Sequence, residues 1–221
     1  MQRATDTPLR GRPGYRPDAL PWHDRQMTPT LHITDDADAD ALLSDNPLAL
    51  LIGMLLDQQV PMETAFAGPA KLLDRIGTLD PKKIADYDAD ELEAVFRITP
   101  SIHRYPGSMA GRVRALCAAI VEDWGAEASA VWTRPAADGA APDGAEILKR
   151  LKGLPGFGEQ KAKIFLALLG KQYGLKADGW RESAGDYGTE GSYRSVADIV
   201  DPGSLTKVRE FKKAAKAAAK K

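Results

Sequence analysis

Residues 147–170 read ILKRLKGLPGFGEQKAKIFLALLG. Apolar side chains at Ile147, Leu148 and Leu151 recur at helical spacing, and Ala162, Phe165, Leu166 and Leu169 repeat the pattern, so the stretch predicts two helices. Between them Gly153-Leu154-Pro155-Gly156-Phe157-Gly158 supplies a stop for the first helix, a proline that cannot continue it, and glycines that tolerate positive φ. The two helices must therefore turn tightly on one another. Backbone N–H groups of the turn and the N-terminus of the second helix then face one way, an arrangement suited to a phosphate oxygen. Lys149, Arg150, Lys152, Lys161 and Lys163 outnumber Glu146 and Glu159 here, which favours an anion.

Around this hairpin the 221 residues, 43% of them hydrophobic, suffice for one sizeable domain or two closely packed lobes without covalent staples. A single cysteine, Cys117, leaves no disulfide framework and no thiolate cluster within one chain. There is no apolar run near 18 residues and no export signal pattern, so the cytoplasm is the expected compartment and no membrane is expected as a partner. The net charge of −1 conceals an asymmetry. Residues 1–103 carry ten Lys and Arg against seventeen Asp and Glu, whereas residues 104–221 carry twenty against fourteen. A basic half is the electrostatic footprint of a nucleic-acid binder, and the acidic half is not.

Taken in order, residues 1–30 read as a disordered or extended lead, rich in Pro and Arg up to residue 26. Leu31 to Ile33 is a short extended piece, and Thr34 is the expected cap for a helix opening on the acidic run from Asp35. Asn46-Pro47 opens a helix that is apolar nearly all round and ends in Asp57-Gln58-Gln59-Val60-Pro61. Further helices are expected over 63–76, from Asp80-Pro81, over 90–96 and over 108–124, the last carrying Arg112, Arg114 and a core Cys117. Residues 99–107 form a turn containing His103, Arg104 and Tyr105. Residues 125–144 read as loop around Trp132, residues 185–192 as a mobile glycine-rich segment, 195–201 as a short helix, and 204–221 as a helix whose Lys/Ala end frays. Every segment is helix or loop, so the fold class is all-α.

The form Leu154-Pro155-Gly156-Phe157-Gly158 between two helices, followed twenty residues after Gly158 by Asp178, resembles the helix-hairpin-helix (HhH-GPD) DNA glycosylases, the superfamily that includes endonuclease III and the alkyl-base glycosylases. The resemblance runs from about Asn46 to Trp180. It implies a two-lobed helical base-excision domain over 31–221, with a DNA cleft between the lobes. The hairpin residues Gly153, Leu154, Pro155, Gly156, Phe157 and Gly158 would grip a phosphate, with Lys161 as a further phosphate contact. Gln59, in the run LLDQQVP, matches the family's glutamine beside the space vacated by a flipped base, where an amide both donates and accepts. Gln58, Gln160, His103, Tyr105 and Trp180 are the expected lining of the base pocket. Where relatives carry a glycine-aromatic pair, this chain has its 99–107 turn, a departure that reshapes that pocket.

The chemistry follows from the bond to be broken. Loss of a base from deoxyribose passes through an oxocarbenium-like state, and a carboxylate about 4 Å away, at an effective dielectric near 20, supplies about 4 kcal/mol, on the order of a thousandfold in rate. Asp178 is the matching carboxylate. Family members that also cut the strand carry a lysine two residues after the hairpin's last glycine, where this chain has Gln160; Lys161 is one step, about 100°, further round the helix and is expected to point away from the pocket. A monofunctional hydrolase acting, as a monomer, on lesion-bearing double-stranded DNA is thus expected, associated with the nucleoid if bacterial. No cofactor is expected: the four-cysteine iron–sulfur motif is not in the sequence, although the resemblance admits a monovalent cation at the hairpin carbonyls. The alternatives are a binding module that has lost its chemistry and a bifunctional lyase using Lys161.

Overall fold

Asp36, not Thr34, caps the first helix in the computed structural model, which describes residues 30–218. The Asp36 carboxylate accepts from the backbone of Asp38 and Ala39 at the start of α1 (Ala37–Asp45). Thr34 instead joins Ile33 in donating to the buried carboxylate of Asp40. That bonding pins the segment carrying Leu31 and Ile33 to α1 and buries both side chains. The lead expected over 1–30 lies, but for residue 30, outside the described residues, as do the last three residues of the C-terminal tail.

Asn46 ends α1 and, with its side chain accepting from Ala49, caps α2 (Pro47–Leu56). All ten residues of α2 are buried, as its all-round apolar sequence requires. α2 packs against α1, α3 (Met62–Phe66), α4 (Gly68–Ile76), α7 (Pro106–Trp124) and α10 (Glu159–Gln172), so it is the axis of the molecule. The one helix expected over 63–76 is two, because Pro69 lacks an N–H to continue the ladder across Gly68. α5 (Pro81–Ala85) and α6 (Ala89–Arg97), capped by Asp80 and Asp88, lie against α7. Cys117 on α7 is fully buried, and burial pushes its thiol up to about 12.

The stretch read as loop over 125–144 contains α8 (Ala130–Thr133), whose Trp132 is buried 5.8 Å from the Phe165 ring. A lone tryptophan among Ala, Pro and Gly gives no period, yet its area is enough to fold a turn around it once Phe165 is in place. α9 (Gly144–Gly153) and α10 form the hairpin unit, and α11 (Trp180–Ala184) packs on both. Residues 185–192, expected to be mobile, hold a 3-10 turn at Gly185–Gly188 and are tied down by Arg181 to the Gly188 carbonyl and by Lys171 to the Thr189 carbonyl. A second 3-10 turn, Val196–Asp198, replaces the short helix expected there; its Asp198 is buried and accepts from Lys171, Ser192, Arg194 and Ser195. α12 (Pro202–Ala218) closes the chain.

Two sets of contacts join the ends of the sequence. The Tyr173 hydroxyl, at the end of α10, donates to the carbonyls of Leu43 and Ser44 in α1. On α12, Arg209 pairs with Glu63 and with Asp35 (3.8 Å), and Lys212 lies 3.6 Å from Asp57. The basic half of the sequence thus spends part of its charge on the acidic half. Among the described residues there is no strand, and no single helix is long and apolar enough to cross a membrane.

Candidate DNA-processing site

The C-terminal end of α2 supplies one side of the site. After Asp57, Gln58 donates back to the Leu56 carbonyl (2.7 Å) and Gln59 takes a left-handed conformation, φ 57°. A branched-chain-free amide side chain tolerates that region poorly, at a cost of about 1 kcal/mol or more, so surrounding contacts must hold it. His103 acts on the peptide just before Gln59. Fully buried, it bonds the Gln58 carbonyl through Nε2 (3.1 Å), while its Nδ1 accepts from the Tyr105 N–H (3.1 Å). Because Nδ1 is an acceptor, Nε2 carries the proton and the ring is neutral.

The two glutamine side chains then diverge. Gln58 accepts from Arg112 (3.1 Å) and donates to the Met109 sulfur, whereas Gln59 is exposed and accepts from the Tyr105 hydroxyl (3.1 Å). Tyr105 is itself 42% exposed, with Arg104 over its ring at 5.1 Å. Gln58, Gln59, His103 and Tyr105, four residues singled out in the sequence, therefore form one cluster, to which the structure adds Arg112. No local spacing links Arg112 to Gln58, so the sequence put it on a helix but not in this cluster.

Burial holds the His103 pKa below its ordinary 6.5, against the pull of its hydrogen bond to Gln58. A depressed folded value means that the unfolded chain takes up the proton first, so this contribution to stability is intact above pH 6.5 and is lost as pH falls below it. Protonation would also set a second donor against the Tyr105 N–H. Denaturant midpoints at pH 7.5 and 5 should therefore fall less in His103→Gln than in the wild type, and at pH 7.5 the variant should be about 1–3 kcal/mol less stable. Equal pH slopes in both proteins would remove His103 from this role.

The hairpin supplies the other side. Leu154 and Phe157 are buried, Phe157 edge-on to Phe165 at 5.8 Å, so only their backbones are available to a phosphate. Gly156 has φ 80° and stands against the Leu55 side chain, with no room for a Cβ between them. Gly158 caps α10 without a side-chain bond, leaving the first N–H groups of α10 open. The basic surplus around the turn is not freely presented, contrary to the sequence reading. Lys149 and Arg150 lie within reach of Glu146, and Lys152 and Lys163 within reach of Glu159. These are exposed pairs for the most part, weak enough for a phosphate to displace.

Lys161 departs from expectation in another way. Its amine turns inward and donates to the Leu55 carbonyl at the end of α2, so here it joins the hairpin to α2 instead of reaching out to a phosphate. Burial pushes its pKa down to about 8, with Arg112 adding to the effect and Asp57 opposing it. Gln160 is exposed and donates to the Tyr187 hydroxyl (2.9 Å).

Asp178 stands on the hairpin's own unit. Its carbonyl accepts from the Gly144 N–H (2.7 Å) at the start of α9, and Gly179 turns the chain into α11. The carboxylate is exposed and has no hydrogen-bond or ion-pair partner among the described residues. Trp180 is held differently: its ring rests on α10 at Gly170, ten residues and about 15 Å along the axis from Gln160, with Arg181 stacked over it at 4.5 Å. It packs the unit that carries Asp178 and does not join the His103 cluster.

A family model described as HhH-GPD superfamily base excision DNA repair protein matches residues 52–217, from within α2 to the end of α12. The chain belongs to the HhH-GPD superfamily. No curated protein and no solved structure matches it. Membership accounts for the all-helical fold and makes this a base excision repair protein of the DNA glycosylase type. The HhH-GPD match also takes in the segment after Trp180, where the sequence shows no resemblance of its own.

Proposed function

We propose that the protein is a monofunctional DNA glycosylase that hydrolyses the N-glycosidic bond of a flipped, damaged or mispaired base. The observation that carries this reading is Asp178: a carboxylate without a partner among the described residues, on a backbone fixed by Gly144 on one side and α11 on the other. Fixed, unneutralised negative charge is what a sugar turning cationic needs, and an acceptor so held also orients the attacking water. The open N–H groups at Gly158 supply the phosphate grip that helps offset the few kcal/mol of base extrusion. Gln59 and Tyr105, exposed and joined to each other, are the pair that fills the space left in the duplex. With Gln160 bonded to Tyr187 and no lysine at that position, water attacks the anomeric carbon, the C–N bond breaks, and the base leaves an abasic sugar in an unbroken strand.

The test is a panel of duplexes carrying uracil, an alkylated purine, oxoguanine, or mispaired thymine or adenine. Free base is expected from one of them, with strand scission only after alkali. Release of no base from any would defeat the proposal.

A bifunctional lyase is the second reading, favoured by the Lys161 amine, whose pKa near 8 would leave part of it neutral and nucleophilic at physiological pH. To attack the sugar it must first leave the Leu55 carbonyl. Borohydride added during turnover decides between the two: a covalent protein–DNA adduct that vanishes in Lys161→Met establishes the lyase.

A further inference from the structure

Beyond Phe211, which lies under Arg194 (5.5 Å), and Lys212, which pairs with Asp57, α12 runs on with no buried side chain. Only Ser204, Leu205 and Val208 of this helix are buried, and every residue from Lys213 to Ala218 is exposed. Alanine and lysine favour the helix locally, but Arg209, Lys212, Lys213 and Lys216 fall at i, i+3, i+4 and i+7, so that like charges stack on one face and repel. Arg209 and Lys212 are neutralised by Asp35, Glu63 and Asp57. Lys213 and Lys216 have no carboxylate within ion-pair distance among the described residues. A polyanion would relieve that repulsion, and the position of the stripe indicates which. Lys212 is paired with Asp57, the residue before Gln58-Gln59, so the unneutralised end of the stripe starts at the rim of the glutamine–tyrosine cluster.

We propose that α12 is a second DNA contact, laying Lys213 and Lys216 on backbone phosphates of the duplex outside the lesion. The inference rests on the reading of the protein as one that acts on duplex DNA. Its purpose is affinity without sequence preference, and it spares the hairpin, whose own lysines are paired, from supplying the whole of it.

The experiment uses the full chain with Lys213→Gln and Lys216→Gln together, changes that keep helix propensity and leave the ion pairs of Arg209 and Lys212 intact. Binding to an undamaged duplex is followed by fluorescence anisotropy between 50 and 200 mM salt. Affinity at about 0.1 M salt should fall on the order of tenfold or more, and the slope of log K against log salt should flatten by about 1.8, two phosphate contacts' worth. Turnover on saturating lesion duplex should stay unchanged. Lys82→Gln with Lys83→Gln, which removes the same charge from α5, should leave affinity and slope as in the wild type. Unchanged affinity in the α12 variant, or an equal loss in the α5 control, overturns the proposal, since the first denies the contact and the second makes it net charge alone. Duplex binding is read without excision. Loss of binding in a protein that releases no base would therefore sink the glycosylase reading and keep this one, and base release with lysine-independent binding would do the reverse.

Discussion

Asp178→Asn, assayed in single turnover on whichever lesion duplex the wild type processes, is expected to lower base release by about a thousandfold. That figure is what one carboxylate at about 4 Å contributes to a developing cation when the effective dielectric is near 20. Asparagine keeps the volume and the backbone bond from Gly144 while removing the charge, so thermal stability should be unchanged. Affinity for lesion duplex should also persist, because the hairpin backbone and the Gln59–Tyr105 pair are untouched. The split matters more than the size of the effect. A module that only binds DNA would show the same behaviour before and after the change, and a variant that excises within threefold of the wild type would take the mechanism away from Asp178.

The second large effect is expected at Gly144. A Cβ there would stand 2.5 Å from the Trp180 nitrogen and 2.7 Å from the Gly179 carbonyl carbon, both backbone atoms that no rotamer change can move. Gly144→Ala must therefore displace the start of α11 or break the bond from Gly144 to the Asp178 carbonyl. The loss should be about 3 kcal/mol, a fall in melting temperature of roughly 6–12 °C for a chain of this size. Base release should drop on the order of a hundredfold even where the protein remains folded, since a misplacement of about 1 Å at Asp178 is enough. Gly153→Ala is the control: it sits at the end of α9 with open space around its Cα and should be neutral or slightly stabilising. Similar melting temperatures for the two variants would show that the Gly144 contact tolerates rearrangement.

The parts of the fold that the sequence made legible are those governed by local rules. The hairpin could be read because apolar periodicity, Pro155 and the glycines all act within a few residues, and α2 because a helix buried on every side is apolar on every side. What escaped depends on distant partners. Trp132 needed Phe165 to make a helix of an Ala- and Pro-rich loop, and Thr34 lost its role as a cap because Asp40, six residues on, accepts its hydroxyl. For the site, Gln58, Gln59, His103 and Tyr105 could be named but not assembled; the hydrogen bond between His103 and the Gln58 carbonyl spans forty-five residues. Charge misled most. Five cations at the hairpin suggested an open basic surface, and the structure finds four of them beside glutamates and the fifth turned inward to Leu55.

The Tyr173 hydroxyl, held by two carbonyls of α1, makes the first helix and the helix after the hairpin interdependent. Nicking the surface loop ahead of α9 would then leave the α1 carbonyls in one fragment and the hydroxyl that binds them in the other. Mixed together, they should reassociate into a working whole, so the protein is suited to being split as a reporter whose halves regain order only on meeting.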